Sequence, residues 1–158
     1  MEALKASVIF EPEYRNPDAL RGLEGFSHLW LIWQFSAAVR DGWSPTVRPP
    51  RLGGNTRMGV FATRSPFRPN PIGLSCVRLE RVEQHPVCME EAAAIAHEVS
   101  GADLMDGTPI LDIKPYLPYA DCRPEASCGF AGPDGGELLE VELPERLRAL
   151  VPEEKRDA

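Results

Sequence analysis

Three prolines stand within six residues in Arg64-Ser65-Pro66-Phe67-Arg68-Pro69-Asn70-Pro71. Each locks its own φ near −65° and pushes the residue before it toward extended conformations. Neither a helix nor a central strand can run through this segment. It must be a loop, and most of its conformational entropy is removed in advance. A loop this stiff suits a place where Arg64, Arg68 and Asn70 must be aimed at a ligand.

The segment sits inside a strong charge asymmetry. The 158-residue chain carries a net charge of −7. From Arg40 to Arg81, however, eight arginines face two acids, Asp41 and Glu80, so this stretch carries +6. The cations are Arg40, Arg48, Arg51, Arg57, Arg64, Arg68, Arg78 and Arg81, with no lysine among them. A guanidinium offers a planar fork that grips phosphate bidentately and stacks on bases. A solvated arginine-rich loop is one reading. A local anion or nucleic-acid site on an otherwise acidic protein is the other.

The length suits one domain, and no apolar run approaches the ~20 residues needed to span a bilayer. The N-terminus lacks a signal peptide's apolar core. The expectation is a cytoplasmic protein without a membrane partner. Cys76, Cys88, Cys122 and Cys128 form no CxxC pair and share no metal-ligand spacing with His28, His85 or His97. Reduced thiols and no metal site are expected.

Residues 27–36 are aromatic and branched, apolar on both faces from Leu29 to Trp33, and read as a central strand. Further strands are expected at 6–10, 59–63, 73–83, 109–114 and 137–142. In 73–83 the inward face reads as Leu74, Cys76 and Leu79/Val82. Asn16 and Pro17 open one or two helical turns as N-cap and first helical residue. Residues 87–99 are ambiguous, because Met89–Ala96 has strong helix propensity that sheet context can override. Residues 41–58 are a long, packed, functional loop. The sum is all-β: a small single-domain antiparallel β-barrel with short helical turns and long functional loops, over residues 1–143. A short helix and charged tail follow over 144–158.

No GxGxxG, GxxxxGK[ST], GxSxG or HExxH fingerprint is present. Three polar clusters remain: Arg48 to Arg57, Arg64 to Pro71, and Asp106-Gly107-Thr108-Pro109 with Asp112, Lys114 and Tyr116. Each has a plain alternative. The third can be a simple turn, and Asp112 and Lys114, two apart on a strand, can be a surface ion pair. His28 reads more readily as a hydrogen-bonded core residue than as a base.

The runs Arg21–Trp30, Thr46–Asn55, Gly59–Leu74 and Asp106–Tyr116 together resemble the TsaA-like family over about Val8 to Pro124. The resemblance implies a homodimeric β-barrel enzyme. It implies transfer of a methyl group from S-adenosylmethionine to N6 of threonylcarbamoyladenosine at tRNA position 37, beside the anticodon. By position, it implies cofactor contacts at Arg64, Leu74 and Asp106-Gly107-Thr108-Pro109, and at Ser36-Ala37, where the family carries His-Gln. The family's first strand and its Pro-Arg-Gln segment precede the first residue of this chain.

The arginine stretch fits this reading. Arg48, Arg51, Arg57, Arg68 and Asn70 are the RNA-binding candidates, with Trp43 or Phe67 as surfaces on which bases of the anticodon loop can stack. Asp106 and Asp112 are weak candidates for taking the N6 proton. The alternatives are a non-catalytic module binding S-adenosylmethionine or RNA, an enzyme of the same fold acting on a small molecule, and an incomplete family member.

Overall fold

The computed structural model describes residues 4–39, 41–84 and 95–132. One compact unit covers Ala3–Cys122 and holds all the strands found among the described residues. The other covers Met1–Glu2 and Arg123–Ala158, and its described part holds one short 3₁₀ turn, Gly129–Ala131. The expected strand at 137–142, the tail over 144–158 and the boundary at 143 lie outside the described residues.

The first unit is built on a five-stranded antiparallel sheet, ordered β1–β6–β5–β2–β7. Its strands are β1 (Lys5–Ile9), β2 (His28–Gln34), β5 (Ile72–Gln84), β6 (Ile95–Ser100) and β7 (Ile110–Pro115). A separate two-stranded ribbon joins β3 (Thr46–Val47) to β4 (Met58–Gly59). The all-β expectation holds. Among the described residues the pairings define an open sheet with β1 and β7 at its edges, not a closed barrel.

β2 lies where its composition placed it, paired on both sides with β5 and β7. Leu29 and Leu31 are 0% and 1% exposed. With Val8, Val77, Val99 and Ala102 they form the core, against which Trp33, Leu79, Ile110 and Ile113 pack. Burying each leucine contributes roughly 1.5–3 kcal/mol.

Three local readings change on folding. In β5 the buried face is Gly73 and Val77 with half-buried Ser75 and Leu79, while Leu74 and Cys76 are exposed. A bulge at Glu80, where the register shifts between Leu79 and Arg81, brings Val82 back opposite buried His97. One extra residue thus puts Leu79 and Val82 on the same face despite their odd spacing. Residues 59–63 are not a strand, because Val60–Ala62 forms a 3₁₀ turn directly after β4. Ile95–Ser100 forms a strand, so long-range pairing to β1 and β5 prevails over helix propensity there. The rest of Met89–Ala96 lies outside the described residues. Asn16 does cap the 3₁₀ turn Pro17–Leu20, its side chain accepting a hydrogen bond from the Asp18 amide at 3.0 Å.

His28, read as a core histidine, is half-buried on the opposite sheet face, where its Nδ1 lies 2.9 Å from Ser27 Oγ. The core histidine is His97. It is 0% exposed, neither ring nitrogen has a hydrogen-bond partner among the described residues, and the Phe10 ring packs edge-on at 5.1 Å. Burial lowers its pKa, because the charged form would lose its hydration without compensation. The unfolded chain therefore binds a proton more readily than the folded one as pH falls below about 6.5. Stability contributed by neutral His97 is present above that pH and is lost as pH falls toward the folded-state value. Chemical denaturation of the wild type and His97→Leu across pH 5–8 should show the difference. The wild type should lose stability on acidification, by at most about 1.4 kcal/mol per pH unit from this group, relative to the variant. Parallel stability curves would refute it.

Candidate functional site

The site forms where β2 ends. Gln34 donates its backbone N–H to the Pro109 carbonyl at 3.0 Å, and Phe35 donates to the Pro71 carbonyl at 2.8 Å. Pro109 closes the Asp106–Pro109 turn just before β7. Pro71 closes the Arg64–Pro71 loop just before β5. Proline can accept but not donate, so it fits at a strand's first rung. Immediately after Phe35 the chain turns through Ser36–Ala38 as a 3₁₀ turn. Three of the segments selected from the sequence thus meet at one end of the sheet.

The Asp106 turn is held from within. Thr108 donates its amide to the Met105 carbonyl at 3.1 Å and its hydroxyl to the same oxygen at 2.7 Å. Gly107 has φ +73°, a conformation that L side chains rarely adopt. Asp106 is exposed and makes no hydrogen bond or ion pair among the described residues.

Asp112 differs. Its carboxylate pairs with Lys114 at 2.9 Å and accepts the Ile113 amide at 2.9 Å. The hydrogen bond from Lys114 is the main reason its pKa is lowered. This is the surface ion pair anticipated from the spacing, and it makes Asp112 the poorer proton acceptor.

Beside the turn, Leu74 sits opposite Ile32 on the outer face of the sheet and is 52% exposed. Ile72, Met105 and Leu111 are also exposed. Leu111 protrudes at a second bulge, where the register shifts between Ile32 and Trp33.

On the buried face the Trp33 indole lies across Gly73, so that a Cβ there would meet indole carbons within 3 Å. Trp33 Nε1 donates to Ser75 Oγ at 3.0 Å, and the ring tilts against Phe35 at 4.3 Å between centroids. Gly73 is therefore the residue that lets the strand end pack under its loops.

The arginines divide by what they touch. Arg68 donates to the Thr63 carbonyl at 2.7 Å and to the Val60 carbonyl at 3.3 Å, stitching the proline loop to the 3₁₀ turn before it. Arg57 donates to Thr46 Oγ1 at 2.9 Å, across the β3–β4 ribbon. Arg48 and Arg64 are exposed and make no hydrogen bond or ion pair among the described residues. Asn70 is exposed, and its carbonyl accepts the Ile72 amide at 2.8 Å. Arg51 lies in the 3₁₀ turn Pro50–Leu52 between β3 and β4. Arg40 lies outside the described residues. No cluster able to hold a metal occurs among the described residues. The sequence reading missed Phe61, which is 69% exposed beside Trp43. The strand expected at 59–63 hides it, and the aromatic-arginine alternation around it is the available signal.

Fold and site together define a protein built on an antiparallel sheet, whose candidate ligand-facing segments are the loops that feed the strands beside β2. The donor set is suited to a small molecule that carries both charge signs and an apolar body: a free carboxylate, turn carbonyls, a free guanidinium and exposed Leu74. The chain belongs to the family described as tRNA-methyltransferase O N-terminal domain, whose family model matches residues 1–122. This is the family to which the sequence motifs pointed.

A tRNA (adenine(37)-N6)-methyltransferase of Escherichia coli K12 is 56% identical over 118 residues, covering 75% of this chain and 48% of that protein. A putative S-adenosylmethionine-dependent methyltransferase of Pseudomonas aeruginosa PAO1 is 46% identical over 147 residues, covering 92% and 58%. The crystal structure of TrmO from Pseudomonas aeruginosa matches with a TM-score of 0.61 at 40% identity, covering 83% of this chain and 50% of that one. The chain spans about half the length of the curated relatives it matches.

Gly73→Ala should cost about 1–3 kcal/mol in chemical denaturation, because the indole must leave Gly73 and its bond to Ser75. A variant as stable as the wild type would show that Trp33 is not held as described.

Proposed function

We propose that the chain binds S-adenosylmethionine at the end of β2 and methylates N6 of the adenosine at tRNA position 37. The observation that carries this reading is the convergence of the Asp106–Pro109 turn, the Arg64–Pro71 loop and Ser36-Ala37 on Gln34 and Phe35. The family relationship gives the convergence its chemical meaning, since relatives are named as methyltransferases of this position. The finer substrate is adenosine carrying the threonylcarbamoyl group.

Bound S-adenosylmethionine would supply an activated methyl group on a sulfonium. The exposed carboxylate of Asp106 and the carbonyls of its turn would receive the amino and hydroxyl groups of that molecule and balance its positive charge. Arg64 would take its carboxylate, and Leu74 would wall its apolar part. The transfer is an in-line displacement, so the demand on the protein is positioning. The N6 proton released on methylation would pass to a carboxylate of this chain. Asp106 is the better acceptor of the two carboxylates, because Lys114 holds Asp112 ionised. Arg48, Arg51 and Arg57 on the β3–β4 ribbon would hold phosphates of the anticodon arm, adding a salt-dependent component to affinity. Arg68 and Asn70 belong to the same RNA-facing loop, Arg68 with part of its guanidinium given to loop carbonyls.

The assembly we propose is a homodimer with the family's closed barrel. Its support is that β1 and β7 pair on one side only among the described residues, and open edges invite pairing. No helix among the described residues is long and apolar enough to cross a membrane. A cytoplasmic setting follows from the tRNA substrate.

Calorimetric titration with S-adenosylmethionine should give saturable binding, weakened about 10- to 100-fold in Arg64→Ala and in Asp106→Asn, as befits loss of a charged hydrogen bond. Methyl transfer to tRNA carrying threonylcarbamoyladenosine, and not to tRNA with another base at position 37, completes the test. Binding without transfer to any tRNA would replace this reading with the non-catalytic module. No binding at millimolar ligand would refute the site.

A further inference from the structure

Two large aromatic side chains stand open to water next to each other, away from the core. Trp43 is 50% exposed and Phe61 69% exposed, with ring centroids 5.9 Å apart and planes inclined by 32°. The Arg68 guanidinium lies 5.7 Å from the Phe61 centroid, within cation–π range. Exposed rings are ordinarily mobile, but these sit on a braced backbone. Val60 donates its amide to the Pro45 carbonyl at 3.0 Å, tying the Trp43 segment to the Phe61 turn. The Val60 and Thr63 carbonyls fix the guanidinium that caps Phe61.

We propose that Trp43 and Phe61 form a stacking platform for an unpaired base of single-stranded RNA. Charge identifies the occupant. From Gly42 to Leu79 the sequence holds six arginines and no acid, and both rings lie inside that stretch. A neutral apolar partner would not call for such a surround. A polyanion that also offers flat apolar faces does, and single-stranded nucleic acid is that ligand. Phe61 and Arg68 flank Arg64 in one segment, so the platform is built into the loop that leads to the proposed methylation site. A base stacked there would register the RNA loop relative to that site. This inference rests on RNA being the ligand, and it adds which side chains read the loop and by what contact.

The test uses a hairpin RNA with a seven-nucleotide loop and the same hairpin with abasic loop positions. Their affinities for the full chain are compared across a series of salt concentrations. The wild type should prefer the hairpin with bases. Trp43→Ala and Phe61→Ala should each lose roughly 5- to 100-fold on that hairpin and little on the abasic one. The slope of affinity against salt should stay unchanged, because no charge is removed. Trp43→Phe should restore most of the loss, and thermal melts confirm that each variant is folded. Equal affinity of the wild type for the two hairpins, or alanine variants that bind like the wild type, would overturn the platform. So would self-association of the wild type that Trp43→Ala abolishes without changing RNA binding, which would make a second copy the occupant. If stacking-dependent binding is seen and no tRNA is methylated, the platform stands and the methyltransferase reading falls.

Discussion

The amides of Gln34 and Phe35 tie this molecule together. Each donates to the carbonyl of a proline that opens a neighbouring strand, Pro109 on one side and Pro71 on the other. Net hydrogen-bond energies of about 1 kcal/mol would make these two bonds unremarkable if they were isolated. They are the terminal rungs of the two ladders in which β2 takes part, however, and β2 supplies Leu29 and Leu31 to the core. The loops that carry the proposed ligand-facing groups are thereby fastened to the strand that supplies these two core residues.

In the arginine stretch one residue type divides between support and the recognition proposed above. Arg68 gives its guanidinium to the carbonyls of Val60 and Thr63, and Arg57 binds a threonine hydroxyl across the ribbon. Such bonds satisfy polar backbone in segments that have few ladder partners. With the shape of the loops set in this way, Arg48 and Arg64 keep their donors unpaired among the described residues.

How much of this was readable before folding depended on where a local signal met a non-local one. The apolar run Leu29–Trp33 declares a central strand by itself, and the prolines of the loop and the glycine of the turn declare their own shapes. The alternation of β5 could not be read, because its phase is set by the bulge at Glu80 and by the Trp33 indole over Gly73. Both depend on partners distant in the chain. Helix propensity around Ile95 and Ala96 misleads for the same reason, since pairing with β1 and β5 decides the matter. Phe61 was hidden by a turn. A strand at 59–63 would alternate its side chains, whereas the 3₁₀ turn delivers Phe61 beside Trp43. The site segments could each be named from the sequence, but their meeting at Phe35 required the register.

That meeting has an energetic consequence. The proline loop would lose little entropy on binding a ligand, because Pro66, Pro69 and Pro71 already restrict it. Its anchor, by contrast, is a strand end whose neighbours Trp33 and Gly73 are packed to contact. Disturbing the packing beneath therefore moves Pro71 and Pro109 together, and with them the Arg64 and Asp106 groups at once. A substitution such as Gly73→Ala, though buried and touching no ligand, should weaken ligand binding by displacing two recognition elements at once. A substitution at the exposed tip, such as Arg48→Ala, removes one charge and leaves the frame where it was. Stability and recognition are coupled in the first case and separable in the second, because the coupling runs through two backbone hydrogen bonds and not through the side chains that face the ligand.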